Sequence, residues 1–109
     1  MGFIKVAVKN DVPTNKMIMV TVEGKEVLLA NVNNSYFAIA NKCTHLGGAL
    51  SKGSLDGTLV TCPRHGAQFD VTTGQAVGEA KIAFMKMKVK DEPAYEIKVE
   101  GEDVLIKTS

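Results

Sequence analysis

The chain reads as an all-β protein built from antiparallel sheets. Three observations predict this: short runs alternating apolar and polar residues, compact turn signals between them, and no helical period lasting beyond a turn or two. Residues 17–22 (MIMVTV) form the first predicted strand, followed by a turn at Glu23-Gly24-Lys25 and a second strand over 26–32. Asn33-Asn34 is a tight hairpin signal, and 35–40 completes a meander. Beyond the middle of the chain, 58–61 and 67–71 read as two further short strands. Residues 84–90 alternate apolar side chains with lysine, and 95–99 alternate again. The chain then turns at Glu100-Gly101-Glu102-Asp103 and returns over 104–107.

Two stretches break the pattern. Residues 42–57 are rich in glycine and small side chains, and 62–66 form a second irregular piece between two predicted strands. Loops held by a rigid β scaffold are where binding chemistry concentrates. Both cysteines and both histidines of the chain fall in these two loops, as Cys43, His45, Cys62 and His65.

Size and charge narrow the class. A chain of 109 residues has room for one domain, and a hydrophobic fraction of 45% with 23% charged residues is that of a globular protein. So short a chain exposes much of its surface and gains from a metal staple. The net charge of +1, from 13 basic and 12 acidic residues spread along the chain, leaves no footprint for nucleic acid or anionic lipid. The opening Met-Gly-Phe-Ile-Lys-Val lacks the pattern of a secretory leader, and no apolar run is long enough to span a bilayer. The expected address is the cytoplasm, where cysteines more often bind metal than form disulfides.

The four candidate ligands make a pattern: Cys-x-His, sixteen residues, then Cys-x-x-His. Taken singly, a cysteine is a small apolar filler and a histidine a surface or satisfied core residue. Taken jointly, each loop offers one thiolate and one imidazole, which points to a metal centre. Zinc is one candidate, since two thiolates and two imidazoles suit a tetrahedral site. Common zinc fingers, however, segregate a cysteine pair from a histidine pair, whereas here each arm is mixed.

Cys43-Thr44-His45-Leu46-Gly47 and Cys62-Pro63-Arg64-His65-Gly66 resemble the two boxes of the Rieske family. The continuation Ala67-Gln68-Phe69-Asp70-Val71-Thr72-Thr73-Gly74 resembles that family's soluble ferredoxin branch, and the likeness covers essentially the whole chain. The resemblance implies a Rieske-like antiparallel sandwich over residues 1–109, a single domain with a cluster-binding subdomain at about 42–74 inserted in the β base. It implies one [2Fe–2S] cluster per chain, with Cys43 and Cys62 on one iron and His45 and His65 on the other. Replacing two thiolates by neutral imidazoles makes the oxidised centre formally neutral rather than doubly negative, so an electron is accepted more easily.

Departures from the high-potential respiratory branch can also be read. The extra cysteine of each box there matches Gly48 and Arg64 here, so no disulfide joins the loops. Its serine and tyrosine hydroxyls match Ala67 and Phe69, which donate no side-chain hydrogen bond. Fewer donors to sulfur imply a potential near the low end of the Rieske range, roughly −150 mV. Arg64, the single arginine, either offsets part of this or faces solvent, and the solvent-facing reading carries more weight. Glycines 47, 48 and 66 let the backbone turn tightly around the centre. Leu46 and Pro63 read as an apolar rim on which a partner docks. The segment 75–81 lacks the proline found in many members of the family, which implies a looser or reshaped cover. Met17, Met19, Met85 and Met87 read as core filler, and Lys86, Lys88 and Lys90 as a solvated strand face.

The function implied by the resemblance is a one-electron carrier between a flavin-dependent NAD(P)H-oxidising ferredoxin reductase and a terminal oxygenase. No G-x-G-x-x-G unit offers a flavin or nicotinamide site, and both histidines are already assigned, so the chain is read as a carrier and not an enzyme. Two rivals remain: the small subunit of a nitrite reductase, many of which lack the cysteine ligands, and a zinc-stapled interaction module.

Overall fold

The computed structural model describes residues 2–42, 48–63, 66–77, 80–82, 85–87 and 91–107. Twelve strands are found among them. β1 (Ile4–Val8), β2 (Lys16–Val22), β3 (Lys25–Val32), β4 (Ser35–Ala40), β11 (Ala94–Glu100) and β12 (Asp103–Lys107) form one six-stranded sheet, in the order β1-β12-β11-β4-β3-β2. A second sheet of four strands runs β5 (Ser54–Asp56), β6 (Leu59–Thr61), β7 (Gln68–Asp70) and β8 (Ala76–Val77) in chain order. β9 (Ala80–Ile82) and β10 (Met85–Met87) make a small ladder. Every strand pairing is antiparallel. Among the described residues the helical structure is limited to two 3-10 turns, Lys9–Asp11 and Leu50–Lys52.

The predicted turns set the register of the sheets. Val22 pairs with Lys25 and Val32 with Ser35, each across a two-residue loop whose central residues both have positive φ: Glu23 and Gly24, then Asn33 and Asn34. Such turns twist in the sense of the flanking strands. Asn31 reinforces the second of them. Its side chain, 2% exposed, donates to the Val12 carbonyl at 2.8 Å and accepts from the Asn34 N–H at 2.9 Å.

The meander strands, the C-terminal hairpin and the β6 and β7 strands stand within a residue of the sequence-predicted bounds. The exceptions are instructive. β1 escapes the alternation test because its register shifts between Lys5 and Ala7, and that bulge breaks the period of two. β5, β8 and β9 are two or three residues long, too short to show a period. The stretch 42–57, expected to be irregular, therefore ends in a 3-10 turn and an edge strand. Met17 packs against the core as expected, but Met19, two residues further along β2, is 43% exposed. The side chains of Met85, Met87, Lys86, Lys88 and Lys90 lie outside the described residues.

β3 is the wall between two cores. Val27, Leu28, Leu29 and Ala30 are all fully buried, which requires apolar neighbours on both faces of the strand. Val27 and Leu29 point into a cluster with Ala7, Val12, Val22, Ala38, Val104 and Ile106. Leu28, Ala30 and Val32 point the other way, into a cluster with Ile39, Leu50, Val60, Cys62, Ala67, Phe69 and Val71. This second cluster joins the four-stranded sheet to the six-stranded one. The chain re-enters the large sheet over 91–93, where the Glu92 N–H donates to the Gly74 carbonyl at 2.7 Å and the Ala40 N–H to the Pro93 carbonyl at 2.9 Å. Gly74 has φ +79°, and a Cβ there would collide with the Glu92 carbonyl, so only glycine fits this crossing. Burial, and then the charge of Glu92, raise the pKa of Tyr95 on the returning strand.

Leu28→Ala removes a side chain shared between strand and loop sheet, and is expected to cost about 2–5 kcal/mol by urea unfolding. Met19→Ala on the uncovered edge should stay within about 0.5 kcal/mol of the parent.

Candidate metal centre

The two connections that carry the candidate ligands are each pinned at the base. The first leaves β4 through Asn41 and Lys42 and returns at Ala49, which forms an isolated antiparallel bridge with Lys42. Asn41 is 1% exposed and makes the closure. Its backbone carbonyl accepts the Leu50 N–H at 2.8 Å, and its side-chain oxygen accepts the Ser51 N–H, also at 2.8 Å. Its own N–H donates to the Glu26 carbonyl at 3.0 Å, tying the loop base to β3.

The second loop caps the β6–β7 hairpin. The Cys62 N–H donates to the Ala67 carbonyl at 2.7 Å, just beyond the last strand pair, Thr61 with Gln68. The Gln68 side-chain amide donates to the Thr61 hydroxyl at 3.1 Å and adds a rung at the same level. Gly66 has φ +74°, a left-handed conformation that turns the chain back and favours glycine. Pro63 and Gly66 are exposed, whereas Cys62 is 2% exposed and packs with Val60, Ala67 and Phe69.

Gly53 brings the two loops together. It follows the 3-10 turn that ends the first loop, and its α-carbon lies against the backbone of Thr61. A Cβ at this position would overlap the Thr61 carbonyl oxygen and stand 3.2 Å from Pro63 Cδ. Asn41 and Gly53 were not singled out by sequence reasoning. An asparagine at a strand end and a glycine in a small-residue run carry no signal of their own, because their partners are distant backbone groups.

Of the four candidate ligands, Cys62 is within the described residues; Cys43, His45 and His65 lie outside them. So do Leu46, Gly47 and Arg64. Gly48 is buried. Ala67 and Phe69, read from sequence as lacking side-chain donors, are 1% and 0% exposed in the same cluster as Cys62.

These features define a class: an antiparallel all-β protein whose buried Cys62 lies just beyond the end of a short hairpin strand, next to the pinned base of a second connection. Comparison with known proteins makes the class specific. Residues 2–85 match the Rieske [2Fe–2S] domain. The ferredoxin component of a naphthalene 1,2-dioxygenase system from Pseudomonas aeruginosa is 37% identical over 99 residues, spanning 91% of this chain and 88% of that one. The ferredoxin of carbazole 1,9a-dioxygenase from Nocardioides aromaticivorans IC177 superposes with a TM-score of 0.87 at 26% identity, over 100% of both chains. A complex of reduced oxygenase and oxidised ferredoxin in carbazole 1,9a-dioxygenase contains a chain that superposes at 0.80 with 26% identity, covering 95% of this chain and 91% of that one. The chain belongs to the Rieske [2Fe–2S] family, and one such cluster is its cofactor.

The described residues fit that group. A buried cysteine in an apolar surround, beside a glycine-turned loop, suits a thiolate bound to iron and screened from water. Among the described residues, no helix is long and apolar enough to cross a membrane.

Phe69→Tyr places a hydroxyl in the apolar cluster around Cys62. The expected outcome is a higher midpoint potential by protein-film voltammetry, since a donor near sulfur favours the more negative reduced state.

Proposed function

We propose that Cys43, His45, Cys62 and His65 together hold the [2Fe–2S] cluster, with the two thiolates on one iron and the two imidazoles on the other. The observation that carries this reading is the pinning of both loops against each other, with Cys62 buried at the seam beneath an exposed hairpin tip. When bound, the cluster supplies a one-electron couple. The protein's part is to keep the thiolate side dry, to limit hydrogen-bond donors near sulfur, and to leave the tip at Pro63 and Gly66 open. The chain is an electron carrier and not itself a catalyst.

The terminal oxygenase is the partner the relatives support, and the reductase is the source that the family resemblance implies. The chain accepts electrons from a flavin-dependent NAD(P)H-oxidising ferredoxin reductase and delivers them to a terminal oxygenase of the ring-hydroxylating kind. The oxygenase is supported by the oxygenase–ferredoxin complex reported above and by whole-length similarity to dioxygenase ferredoxin components. The chain forms one domain over 1–109, with the cluster-binding subdomain at about 42–74 inserted in the β base. A reducing cytoplasm suits ligand cysteines and a nicotinamide electron source.

The test is metal content and spectroscopy on anaerobically reconstituted protein. The expected result is two iron and two sulfide per chain, matching the family's cluster, with a reduced-state EPR signal after dithionite. A colourless protein with one zinc overturns the reading. On loaded protein, His65→Cys makes the centre more negative and should move the potential from roughly −150 mV toward the roughly −400 mV of all-thiolate clusters. Stripping the iron should lower Tm by several degrees in calorimetry, because two loops lose their cross-link.

A further inference from the structure

Both cysteines of the chain are assigned as ligands, so no disulfide is available to hold the two loops at a fixed separation. The described residues supply a different tie. Asn41 clamps the base of the first loop to the 3-10 turn Leu50–Lys52 through the Leu50 and Ser51 N–H groups, both at 2.8 Å. That turn ends with the Gly53 N–H donating to the Leu50 carbonyl at 2.9 Å. Gly53 then rests on the Thr61 carbonyl, one residue before Cys62. The relay therefore runs from the entry of one ligand loop to the entry of the other through backbone contacts, with no flexible side chain in its last step.

We propose that Gly53, backed by Asn41, is a positioning residue that sets the spacing of the two ligand loops and hence the fit of the cluster between them. The proposal rests on the ligand assignment above. The physical basis is steric. The atom a Cβ would strike is a backbone oxygen on a strand paired on both sides, and it cannot swing away as a side-chain end can. Gly53→Ala must therefore move one loop relative to the other. Asn41→Ala loosens the same relay at its far end by freeing the Ser51 N–H that the side chain now accepts.

The experiment compares Gly53→Ala, Asn41→Ala and Asn31→Ala as holoproteins. Asn31 is a fair control, since it is 2% exposed and makes two hydrogen bonds, but does so away from the relay, to the Val12 carbonyl and to the Asn34 N–H of the exposed turn. The readouts are urea midpoint, rate of cluster loss to a chelator followed by visible absorbance, and EPR line positions after reduction. Gly53→Ala and Asn41→Ala are expected to release the cluster about tenfold faster or more, the usual consequence of disturbing groups that orient metal ligands, and to shift the EPR lines. Asn31→Ala should lower the urea midpoint while keeping the parent's release rate and EPR spectrum. If both relay variants match Asn31→Ala in release rate and spectrum, the positioning role is wrong and the residues serve stability alone. Should Gly53→Ala fail to fold, the Asn41→Ala and Asn31→Ala comparison decides by the same criterion. A parent protein that takes up no cluster overturns the functional reading itself, and the positioning role with it.

Discussion

One apolar cluster joins the chemistry of this protein to its scaffold. Cys62, Ala67 and Phe69 from the loop-bearing hairpin pack with Leu28, Ala30 and Ile39 from the large sheet, and Leu50 fills the space from the first loop's exit. The contact is possible because β3 presents branched or small apolar side chains on both faces, with four consecutive residues fully buried. A strand of the usual half-solvated kind could support the large sheet or the loop sheet, but not both. The depth of Cys62 therefore depends on residues more than thirty positions earlier in the chain.

The loops themselves contain little that could order them alone. They are glycine-rich and short of large side chains, so the loss of backbone entropy on fixing them needs an external source of stability. Backbone hydrogen bonds at the loop bases provide part of it: Lys42 bridges to Ala49, Leu50 bonds back to Asn41, and Cys62 bonds to Ala67. The seam at Gly53 and the crossing at Gly74 make the backbones touch where a side chain would separate them. On the proposed ligand assignment a bound cluster would add a covalent tie across the same gap, and a chain of 109 residues gains from such a tie.

Much of this was legible in the sequence, for identifiable reasons. The meander and the C-terminal hairpin announce themselves because alternation and two-residue turns are local signals: Asn33-Asn34 is read from the residues that adopt the positive φ angles. The candidate ligand set stood out because four residues of two rare types, cysteine and histidine, fall in two short stretches of the sequence. What escaped was set by long-range contact. β1 pairs with β12 nearly a hundred residues away and carries a bulge that hides its period. Gly53 looks like any loop glycine until Thr61 is placed beside it, and Asn41 looks like a strand terminus until Ser51 returns to its side-chain oxygen. Met19 was misread as filler because alternation shows which face a residue takes but not whether anything covers that face.

The asymmetry of the hairpin end has a consequence for electron transfer. Cys62 is buried, while Pro63 and Gly66, one to four residues further along, are exposed. On the proposed ligand assignment Cys62 would hold its iron from within the apolar cluster, beside an exposed hairpin end. Low dielectric on one side raises the cost of added negative charge there. A partner docked at that exposed end would shorten the distance an electron travels without disturbing the buried cysteine. The task of the tip is access, and tuning is left to the residues packed around Cys62, of which Phe69 is the largest fully buried one. A polar substitution there alters the environment of the sulfur while leaving the docking surface in place, so potential and partner recognition can vary independently on this scaffold.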